Sequence, residues 1–501
     1  MVSDKEPTAA RPAEPRPTPL SEVAGWLGLD VEAEVSVTGV SLSSHRVLPG
    51  DLYAALPGAR AHGASYAASA VSAGAVAVLT DAAGAELLRD LDVPVLVVDE
   101  PRARLGRLAA RLHGNPAGSM RMIAVTGTQG KTTTTRLAEA ALQGAGIHAA
   151  VIGTVGTRVD GQDIETSLTT PEAPDLHGLF AMMRERGVEA CAMEVSSHAL
   201  VMGRVDGVVF DVAVFTNLGR DHLDFHHDVE SYYAAKASLF TPERARLGLV
   251  NLDDEHGRRL LAETEIEMRS FAIEDPTADW RAIDLDLAPD GSAFTVAGPD
   301  GVRVRTSVPI PGDFNVANAL AAIAAAAEAG YDVETVARAL ALGNGVPGRL
   351  ERVPVPQGYS VVVDYAHKPD AVEAALRTLR PLTAGRLIIV IGAGGDRDTG
   401  KRPVMGEISA RLADLVIVTN DNPRSEEPAA IRAEVLAGTV GGAAEVLEIG
   451  NRREAIRTAL QRAEFGDIVL VAGKGHETGQ EVAGVVHPFD DREVVREEAS
   501  R

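Results

Sequence analysis

The chain has little of what builds a cross-linked or membrane-inserted protein. Its 501 residues include one cysteine, Cys191, which excludes a disulfide framework and any metal site made of several thiolates. No apolar run reaches the roughly 18 residues of a membrane span, because Glu328 interrupts the run that starts at Ala319. We therefore expect a fold that depends on its apolar cores, with no membrane insertion.

Positive charge is also scarce. The sequence has 48 Lys and Arg residues against 71 Asp and Glu residues, a formal net charge of −23. A field of this sign repels nucleic acids and anionic lipids, so we expect no nucleic-acid partner. Residues 1–20 contain five prolines and three acidic residues, and they are predicted to be a disordered tail and not a signal peptide. We expect a soluble, cytoplasmic monomer.

Lysine is the rarest charged residue, with six among the 48 basic side chains. A buried ammonium can lose its proton, whereas a guanidinium cannot, so a lysine kept in an arginine-rich chain is a candidate for specific chemistry. Five of the six lie in or near the motifs discussed below: Lys131, Lys236, Lys368, Lys401 and Lys474.

Short apolar runs alternate with amphipathic or alanine-rich stretches along most of the chain. Strands are predicted at 35–42, 51–56, 75–80, 94–99, 122–126, 360–364, 386–391, 415–419 and 467–472, and helices at 102–113, from 131, and at 318–330. This alternation predicts an α/β fold with mostly parallel sheets. Glycine- and proline-containing breaks near residues 114 and 346 predict three domains, 21–113, 114–346 and 347–501.

The unusual polar residues follow directly after the predicted strands. Ligands of open α/β sheets bind at the carboxyl ends of the strands. We therefore expect the second and third domains to face each other across a ligand-binding cleft.

A glycine-rich turn follows the strand that ends at Thr126. It reads Gly127-Thr128-Gln129-Gly130-Lys131-Thr132-Thr133. Glycines let the backbone N–H groups of such a turn surround phosphate oxygens, while the lysine reaches the β- and γ-phosphates and the next hydroxyl binds Mg²⁺. The turn is shorter than the full Walker pattern, but its place between a strand and a helix predicts a nucleotide site.

The order of motifs resembles the Mur ligases, ATP-dependent enzymes that add amino acids to the peptidoglycan precursor. The residues that carry the resemblance are the phosphate loop, Glu194-Val195-Ser196-Ser197-His198, Thr216-Asn217-Leu218, Arg220-Asp221-His222-Leu223-Asp224 and Ala235-Lys236. It spans residues 40–489 and is closest to the branch that adds the third residue of the peptide. It implies an N-terminal UDP-substrate domain, a central P-loop-type ATPase and a C-terminal Rossmann-like domain.

The resemblance implies catalytic roles for Lys131, Glu194, His222 and Lys236. Glu194 and Thr132 would bind one Mg²⁺, and His222 would help to bind a second. The Mur counterpart of Lys236 is carbamylated by CO₂, and only an amine that can become neutral reacts in this way. The alternative is an unmodified Lys236 paired with a carboxylate. His198 is expected to be structural.

Further residues match substrate positions of the family. Those on the ATP side are Asn318, with Asn315 near it, Arg349, Asp364 and His367. Those that match the UDP-substrate are Leu42, Ser44, Ala59, Arg60, Ala61, Thr169, Thr170, Ser196 and Arg204. For residues 59–61 an ordinary polar loop is an equal alternative. Two positions depart from the family pattern, Gln129 and Met202.

The incoming amino acid is indicated by Asp421-Asn422-Pro423-Arg424. In the family this motif marks enzymes that add diaminopimelate, whose distal carboxylate an arginine can bind bidentately. Arg397, Gly473 and Glu477 match the rest of that site, and Glu477 would bind the distal ammonium. The alternative is a simple Asn-Pro turn with a solvated Arg424.

Three functional hypotheses follow. The first is a diaminopimelate-adding ligase that uses ATP and Mg²⁺. The second is a lysine-adding relative or a folylpolyglutamate synthetase, although the latter lacks a UDP-binding domain and the Asp-Asn-Pro-Arg motif. The third is a catalytically silent nucleotide-binding scaffold, which the joint presence of Lys131, Glu194, His222 and Lys236 disfavours.

Overall fold

The computed structural model describes residues 11–58, 60–164, 166, 168–219, 221–222 and 225–501. They form two compact units. The first comprises the described residues up to Arg281 with Gly298–Asp300 and Leu320–Ala339, and the second comprises Ala282–Ala297, Gly301–Ala319 and Leu340–Arg501. Across these described ranges, no helix combines the length and apolar composition that a membrane crossing needs.

The N-terminal part of the first unit is built on a small parallel sheet. Its elements are β1 (Thr18–Pro19), α1 (Leu20–Trp26), β2 (Ser36–Val37), β3 (Gly39–Ser41), β4 (Asp51–Ala54), α2 (Ala67–Ser72), β5 (Ala77–Thr80), α3 (Ala82–Leu87), β6 (Val95–Val97) and α4 (Pro101–Leu112), with 3-10 helices at Gly63–Tyr66 and Pro116–Ser119. Strands β3 to β6 pair in parallel in chain order. Helices between them supply the crossovers that parallel pairing requires.

The prediction that residues 1–20 form a disordered tail is wrong for residues 11–20. Arg11 Nη1 donates to Asp51 Oδ1 at 3.0 Å, and Thr18 and Pro19 pair with β2. Leu20 is fully buried as the first residue of α1. The ion pair and the apolar contacts outweigh the conformational entropy that this segment loses on folding. That loss is smaller because the prolines already restrict the unfolded chain. Residues 1–10 lie outside the described residues.

The rest of the first unit contains a larger sheet. Its elements are β7 (Arg121–Thr126), α5 (Lys131–Gly144), β8 (Ala149–Ile152), β9 (Thr157–Val159), β10 (Gln162–Ile164), α6 (Ala173–Glu185), β11 (Ala190–Glu194), α7 (Ser197–Val201), β12 (Phe210–Phe215), α8 (Val229–Ala237), β13 (Ala245–Asn251), α9 (Glu255–Glu263) and β14 (Glu267–Ala272). The strand order is β10-β9-β8-β11-β7-β12-β13-β14. Strands β8, β11, β7, β12, β13 and β14 are parallel, and β9 and β10 form an antiparallel edge.

The strand order positions the site. Strands β11, β7 and β12 are neighbours, and because they are parallel, their carboxyl ends lie at one edge of the sheet. Every residue of β11 is buried, and so is every residue of β7 after Arg121. The polar residues that follow these strands are therefore brought together at the rim of an apolar core.

The chain after β14 departs from the predicted strand–helix alternation. It forms β15 (Trp280–Ala288), β16 (Gly291–Ala297), a 3-10 turn at Pro299–Gly301, β17 (Arg303–Val308), α10 (Asp313–Glu328) and α11 (Val333–Ala341). Strands β16 and β17 are antiparallel. The short Pro-Asp-Gly connection leaves no room for a crossover helix, so the strands form a hairpin. The alanine-rich helix begins at Asp313, five residues before the predicted start at 318.

The C-terminal part of the second unit has a six-stranded sheet. Its elements are β18 (Glu351–Val353), β19 (Ser360–Asp364), α12 (Pro369–Leu379), a 3-10 turn (Arg380–Leu382), β20 (Leu387–Ile391), α13 (Lys401–Leu412), β21 (Leu415–Val418), α14 (Pro428–Thr439), β22 (Glu445–Glu448), α15 (Arg452–Arg462), β23 (Ile468–Ala472), β24 (Gly479–Val482), β25 (Val485–Pro488) and α16 (Asp491–Ala499). The order is β18-β19-β23-β20-β21-β22, with β18 antiparallel and the other strands parallel. The predicted α/β architecture with mostly parallel sheets is confirmed.

Candidate active site

The loop between β7 and α5 has the backbone that its glycines predict. Gly127 has φ = 149° and Gly130 has φ = 85°, values that favour glycine. A Cβ on Gly127 would lie 1.9 Å from a threonine hydroxyl oxygen, so no side chain fits there. Helix α5 begins at Lys131, followed by the buried Thr132 and Thr133. The unpaired N–H groups of a helix N-terminus favour anions, so the loop can hold phosphate oxygens.

The end of the neighbouring strand β12 braces this loop. Thr216 Oγ1 donates to Gln129 O at 2.6 Å, and Gln129 N donates to Asn217 Oδ1 at 2.9 Å. Thr128 Oγ1 accepts from Gly219 N at 2.9 Å. The Thr-Asn-Leu motif therefore supports the loop, and Gln129 contributes through its backbone.

Lys131 and Lys236 converge on one carbonyl oxygen. Lys131 Nζ donates to Gly127 O at 2.8 Å and to Thr128 O at 3.0 Å. Lys236 Nζ donates to the same Gly127 O at 2.7 Å, and its residue is 1% exposed. Burial, followed by the charge of Lys131, holds the pKa of Lys236 well below its ordinary value. Lys236 is therefore an amine that loses its proton more readily than an ordinary lysine.

Lys236 is surrounded by a carbonyl and a ring. Its Nζ lies 4.5 Å from the centroid of the Tyr232 ring, and the Tyr232 hydroxyl lies 3.2 Å from Thr128 Oγ1. Within the described part of the chain, Lys236 has no carboxylate at ion-pair distance. The alternative of a salt-bridged lysine is therefore not formed by these residues.

Glu194 ends β11 and is 1% exposed. Its Oε1 accepts from Thr154 N at 2.7 Å, and its Oε2 accepts from Thr154 Oγ1 at 3.1 Å. Arg136 on α5 holds the same loop, because its Nη2 donates to Val155 O at 2.7 Å and to Gly156 O at 3.0 Å. The carboxylate is thus fixed beside the phosphate loop by hydrogen bonds from the loop after β8.

His222 lies on the loop before α8. It has φ = 54°, and its Nε2 is 3.5 Å from Asp221 Oδ2. Its ring centroid is 4.8 Å from that of His198, which also packs on Phe225 at 4.0 Å. The ring of His198 therefore packs directly against that of His222. Three further residues of this motif lie outside the described residues: Arg220, Leu223 and Asp224.

The side chains predicted to bind metal are Thr132, Glu194, His222 and Lys236. In the described ranges, no three His, Cys, Asp or Glu side chains cluster as a complete metal cage. The buried Thr132 hydroxyl and Glu194 carboxylate are oxygen ligands of the kind that Mg²⁺ prefers. Mg²⁺ commonly takes one or two protein oxygens and completes its shell with phosphates and water, so these residues fit a nucleotide-bound Mg²⁺.

Three of the predicted UDP-substrate residues gather beside Glu194. Thr170 Oγ1 donates to Glu194 O at 2.9 Å and accepts from Ser196 N at 3.3 Å. Thr169 Oγ1 lies 3.2 Å from Thr154 Oγ1. Hydroxyl groups therefore line the edge of the sheet next to the Glu194 carboxylate.

Arg204 joins this group through a residue that the sequence reasoning missed. Its Nη1 donates to Thr170 O at 3.3 Å, and its Nε lies 2.8 Å from Glu172 Oε1. Glu172 also accepts from Arg102 Nη1 at 3.2 Å. The one sequence signal for Glu172 is its position two residues after the predicted site residue Thr170.

The predicted uridine-side residues are not drawn into one cluster. Leu42 and Ser44 follow β3, where Leu42 packs against the N-terminal core and Ser44 is buried. Arg60 and Ala61 are exposed after β4 and, among the described residues, form no hydrogen bond with another predicted site residue. Ala59 lies outside the described residues.

The remaining predicted ATP-side residues belong to the second unit. Asn318 Nδ2 lies 3.3 Å from Asn315 Oδ1, and Asn315 Nδ2 donates to Pro311 O at 2.8 Å. Both amides are buried on α10. Their contacts fix the side chains against the helix start.

Arg349, Asp364 and His367 meet around Tyr365. Asp364 Oδ2 accepts from Leu350 N at 2.7 Å, which ties the segment that contains Arg349 to β19. The Arg349 guanidinium lies 5.0 Å from the Tyr365 ring centroid, and His367 Nδ1 donates to Tyr365 O at 2.8 Å. Burial lowers the pKa of His367 to about 4, so this imidazole is neutral at pH 7.

The Asp-Asn-Pro-Arg motif lies beside a buried lysine. Asn422 Nδ2 donates to Glu477 Oε2 at 2.8 Å, and Lys474 Nζ donates to both Asn422 Oδ1 and Glu477 Oε2 at 3.0 Å. Lys474 is 0% exposed. Sequence reasoning noted its rarity but did not assign it to the site. The three side chains join the loops after β21 and β23.

Asp421 supplies a carboxylate oxygen to the same place. Its Oδ1 accepts from Asn422 N at 2.7 Å. Its Oδ2 is buried and has no hydrogen-bond donor among the described residues. Gly473 has φ = 115°, and a Cβ there would lie 2.4 Å from Oδ2. A buried carboxylate oxygen of this kind favours a ligand that donates a hydrogen bond, such as an ammonium group.

Arg424, next to Pro423, has a left-handed backbone with φ = 53°. Its Nη1 donates to Gly395 O at 2.6 Å, and its Nε lies 3.5 Å from Glu481 Oε2. Positive φ in a non-glycine residue costs energy and marks positions that the surrounding structure holds. Arg397, on the neighbouring loop, is exposed. The structure therefore fixes Arg424 within the motif but leaves Arg397 on the surface.

Family models match three segments of the chain. They are described as the Mur ligase family catalytic domain over residues 36–113, the Mur ligase middle domain over residues 125–326, and the Mur ligase glutamate ligase domain over residues 348–475.

Individual relatives agree with these models. A Streptomyces avermitilis protein named UDP-N-acetylmuramoyl-L-alanyl-D-glutamate--2,6-diaminopimelate ligase is 54% identical over 499 residues, or 98% of each chain. A Corynebacterium glutamicum protein of the same name is 50% identical and covers 92% of each chain. A solved structure of an enzyme with this name is 34% identical, with a TM-score of 0.71 and coverage of 97% of this chain and 99% of that chain. With three matched segments and this identity over almost its whole length, the chain belongs to the Mur ligase family and has its three-domain fold.

Proposed function

We propose that this chain is an ATP-dependent, ADP-forming ligase of peptidoglycan precursor synthesis. It joins 2,6-diaminopimelate to the D-glutamyl carboxylate of UDP-N-acetylmuramoyl-L-alanyl-D-glutamate, as the names of its relatives indicate. The observation that carries the proposal is the convergence of Lys131 and Lys236 on Gly127 O within the phosphate loop. Phosphoryl transfer needs fixed charges where negative charge builds up, and this loop supplies them.

The chemistry is carboxylate activation followed by amide formation. An oxygen of the D-glutamyl carboxylate attacks the γ-phosphorus of ATP, the bond to the bridging oxygen breaks, and ADP leaves. The amine of diaminopimelate attacks the acyl phosphate, loses a proton, and displaces phosphate through a tetrahedral intermediate. In this scheme the loop and Lys131 hold the phosphates, and the hydroxyls beside Glu194 hold the UDP-linked substrate.

Lys236 acts as a carbamate. Its neutral amine attacks CO₂, forms an N–C bond and releases a proton, which converts a buried base into an anion. Three observations support this role: burial, the neighbouring charge of Lys131, and the lack of a carboxylate partner among the described residues. Arginine could not replace it, because a guanidinium does not become neutral.

Mg²⁺ is the proposed metal. Thr132 and Glu194 would hold one ion on the nucleotide phosphates, and His222 with carbamylated Lys236 would hold a second. The bound ions would neutralise charge on the transferring phosphoryl group. The buried carboxylate and hydroxyl oxygens support this assignment.

The Asp-Asn-Pro-Arg region is the proposed amino-acid site. Arg424, with Arg397, binds the distal carboxylate, and Asp421 with Glu477 binds the distal ammonium. The buried oxygen of Asp421, which has no donor among the residues that the structure describes, supports the cationic end of this pocket. A lysine-adding activity is the second candidate. Lysine would leave Arg424 without a carboxylate partner, so diaminopimelate is favoured.

We also propose the domain limits 21–113, 114–346 and 347–501, a cytoplasmic location and a monomeric state. The breaks near residues 114 and 346 support the limits. Consumption of ATP supports the location. The supply of every proposed site residue by one chain supports the monomer.

The test is ADP release by the purified full chain, measured with the UDP-dipeptide and with meso-diaminopimelate, LL-diaminopimelate or lysine in parallel. The proposal predicts release that requires both the UDP-dipeptide and a diaminopimelate isomer. Release with lysine at an equal kcat/KM would identify the lysine-adding relative. Absence of release with any amino acid would identify a silent scaffold.

A further inference from the structure

Arg452 is a fully buried cation in the second unit. It is the first residue of α15, and it pairs with Asp491, the first residue of α16. Arg452 Nε donates to Asp491 Oδ1 at 2.7 Å, and Nη2 donates to Asp491 Oδ2 at 2.6 Å. Both side chains are 0% exposed. The pair is therefore bidentate and screened from water.

The start of α15 does not require this arginine. Asn451 already caps the helix, since its Oδ1 accepts from Glu454 N at 3.0 Å. A cation at a helix N-terminus also opposes the helix dipole. A buried ion pair loses the hydration of both charges, which the attraction between them only partly offsets. Local helix physics therefore disfavours Arg452, and the rest of its contacts must account for its placement.

Those contacts reach two loops of the proposed amino-acid site. Arg452 Nη2 donates to Ala472 O at 2.9 Å, and Nη1 donates to Asn420 O at 3.4 Å. Ala472 directly precedes Gly473, and Asn420 directly precedes Asp421. The strands that lead to these residues, β23 and β21, are separated in the sheet by β20. One guanidinium thus joins two loops across an intervening strand.

The charge of Arg452 also acts on the site. Burial opposes that charge, but the neighbouring carboxylates, Asp491 above all, raise the pKa of the guanidinium. Asp421 and Glu477 contribute to the same field. Arg452 therefore lies within electrostatic range of the two carboxylates proposed to face the substrate ammonium.

We propose that Arg452 is a positioning residue for the incoming amino acid. It sets the separation of the Asp421 and Gly473 loops through its two carbonyl contacts, while Asp491 holds it in place. The inference rests on the proposed amino-acid site and adds a determinant that does not touch the substrate.

The test removes the pair without leaving a lone charge, by combining Arg452→Met with Asp491→Leu in the full chain. Replacing a buried ion pair by apolar residues of similar size is often close to neutral for stability. We expect a Tm near that of the wild type, a KM for diaminopimelate raised about tenfold, and an unchanged KM for ATP. The matched control is Arg453→Met, because Arg453 is the next residue but pairs with Glu497 and Glu498 near the surface.

Arg452→Lys provides a second test that keeps the charge. A single ammonium cannot reproduce the bidentate pair and both carbonyl contacts, so KM for diaminopimelate should rise about threefold or more. An unchanged KM in both variants would overturn the inference, as would equal increases for diaminopimelate and ATP. Arg424→Ala distinguishes failure of the Arg452 inference from failure of the proposed amino-acid site. If this variant also leaves KM for diaminopimelate unchanged, the proposed site itself is wrong.

Discussion

Lys236 in the first unit and Lys474 in the second are both wholly buried, but their surroundings differ. Lys474 donates to a carboxylate and an amide, Glu477 and Asn422, each at 3.0 Å. Lys236 donates to a carbonyl, lies against an aromatic ring, and has another lysine beside it. Lys474 therefore acts as a structural cation that joins the Asn422 and Glu477 side chains. An ammonium without a carboxylate loses its proton readily and becomes a nucleophile, which is the state that CO₂ requires.

The largest expected effect is the loss of Lys236. Lys236→Ala should lower kcat by about a hundredfold or more, since it removes the proposed carbamate, whose charge would act on the transferring phosphoryl group. Bicarbonate should not restore activity, whereas a short carboxylic acid should restore part of it by replacing the carbamate. ADP release measures both effects. Full activity of Lys236→Ala would contradict a catalytic role for Lys236, and with it the proposed difference between Lys236 and Lys474.

The next effect concerns Arg424, the proposed partner of the distal carboxylate of diaminopimelate. Arg424→Ala should raise KM for diaminopimelate by about 10- to 100-fold, because a hydrogen bond to a charged group contributes about 1.5–3 kcal/mol. KM for ATP should stay close to the wild-type value. Steady-state kinetics with each substrate varied in turn provides the measurement. Equal changes in the two constants would exclude a direct contact between Arg424 and diaminopimelate.

Lys474→Met tests the structural cation. The substitution removes the ammonium from Glu477 and Asn422, so KM for diaminopimelate should rise about tenfold and Tm should fall, because buried polar groups lose their partner. Lys236→Met is the matched variant. It should abolish activity with little loss of Tm, since Lys236 contributes no ion pair with the described residues. A large loss of Tm in Lys236→Met together with an unchanged Tm in Lys474→Met would contradict the roles proposed for the two lysines.

His177 extends the comparison to another buried base, one that contacts no carboxylate within the described ranges of the chain. Its Nε2 donates to Asp206 O at 3.0 Å, and burial lowers its pKa to about 4. The unfolded chain therefore binds a proton near pH 6.5 that the folded chain does not bind until about pH 4. The contribution of His177 to the free energy of unfolding is fully present above pH 6.5. It decreases by about 1.4 kcal/mol per pH unit as the pH falls from 6.5 toward 4.

The measurement is denaturant unfolding of the wild type and of His177→Gln between pH 7 and pH 4. Glutamine has no proton to gain, so the variant should show a shallower fall in stability with decreasing pH. Identical slopes would mean that His177 does not resist protonation in the folded chain.

The smallest expected effect comes from the tyrosine that contacts Lys236. Tyr232→Phe keeps the ring but removes the hydroxyl that bonds Thr128, so KM for ATP should rise about threefold. Tyr233→Phe is the matched control, since its hydroxyl donates to Glu263 at 2.9 Å, away from the phosphate loop. Equal KM values for ATP in the two variants would remove Tyr232 from the phosphate site.

Much of the fold could be predicted because its signals are local. The apolar runs at 360–364 and 467–472 contain strands β19 and β23, and the glycine-rich turn before Lys131 has the positive φ values that such turns require. The hairpin of β16 and β17 was missed, since the general alternation of strands and helices predicts parallel pairing and does not mark a local antiparallel pair. The order of residues 11–20 was missed because it depends on contacts made far along the chain, such as Arg11 with Asp51.

The candidate site was predictable where a motif names its residues, as at Lys131 and Glu194. The residues that hold them are non-local. Thr154 lies 40 residues before Glu194, and its Gly-Thr-Val context carries no signal of that contact. Arg424 has a left-handed backbone conformation. A glycine at this position would have predicted that conformation from the sequence, but an arginine does not. Lys474 was visible as a rare lysine, but its partners required the structure.

The most direct test of the difference between the two buried lysines is ¹³C NMR of the protein equilibrated with ¹³C-bicarbonate. The account predicts a carbamate resonance that is present in the wild type and in Lys474→Met and absent in Lys236→Ala. A wild-type spectrum without that resonance, or a resonance that persists in Lys236→Ala, would contradict it.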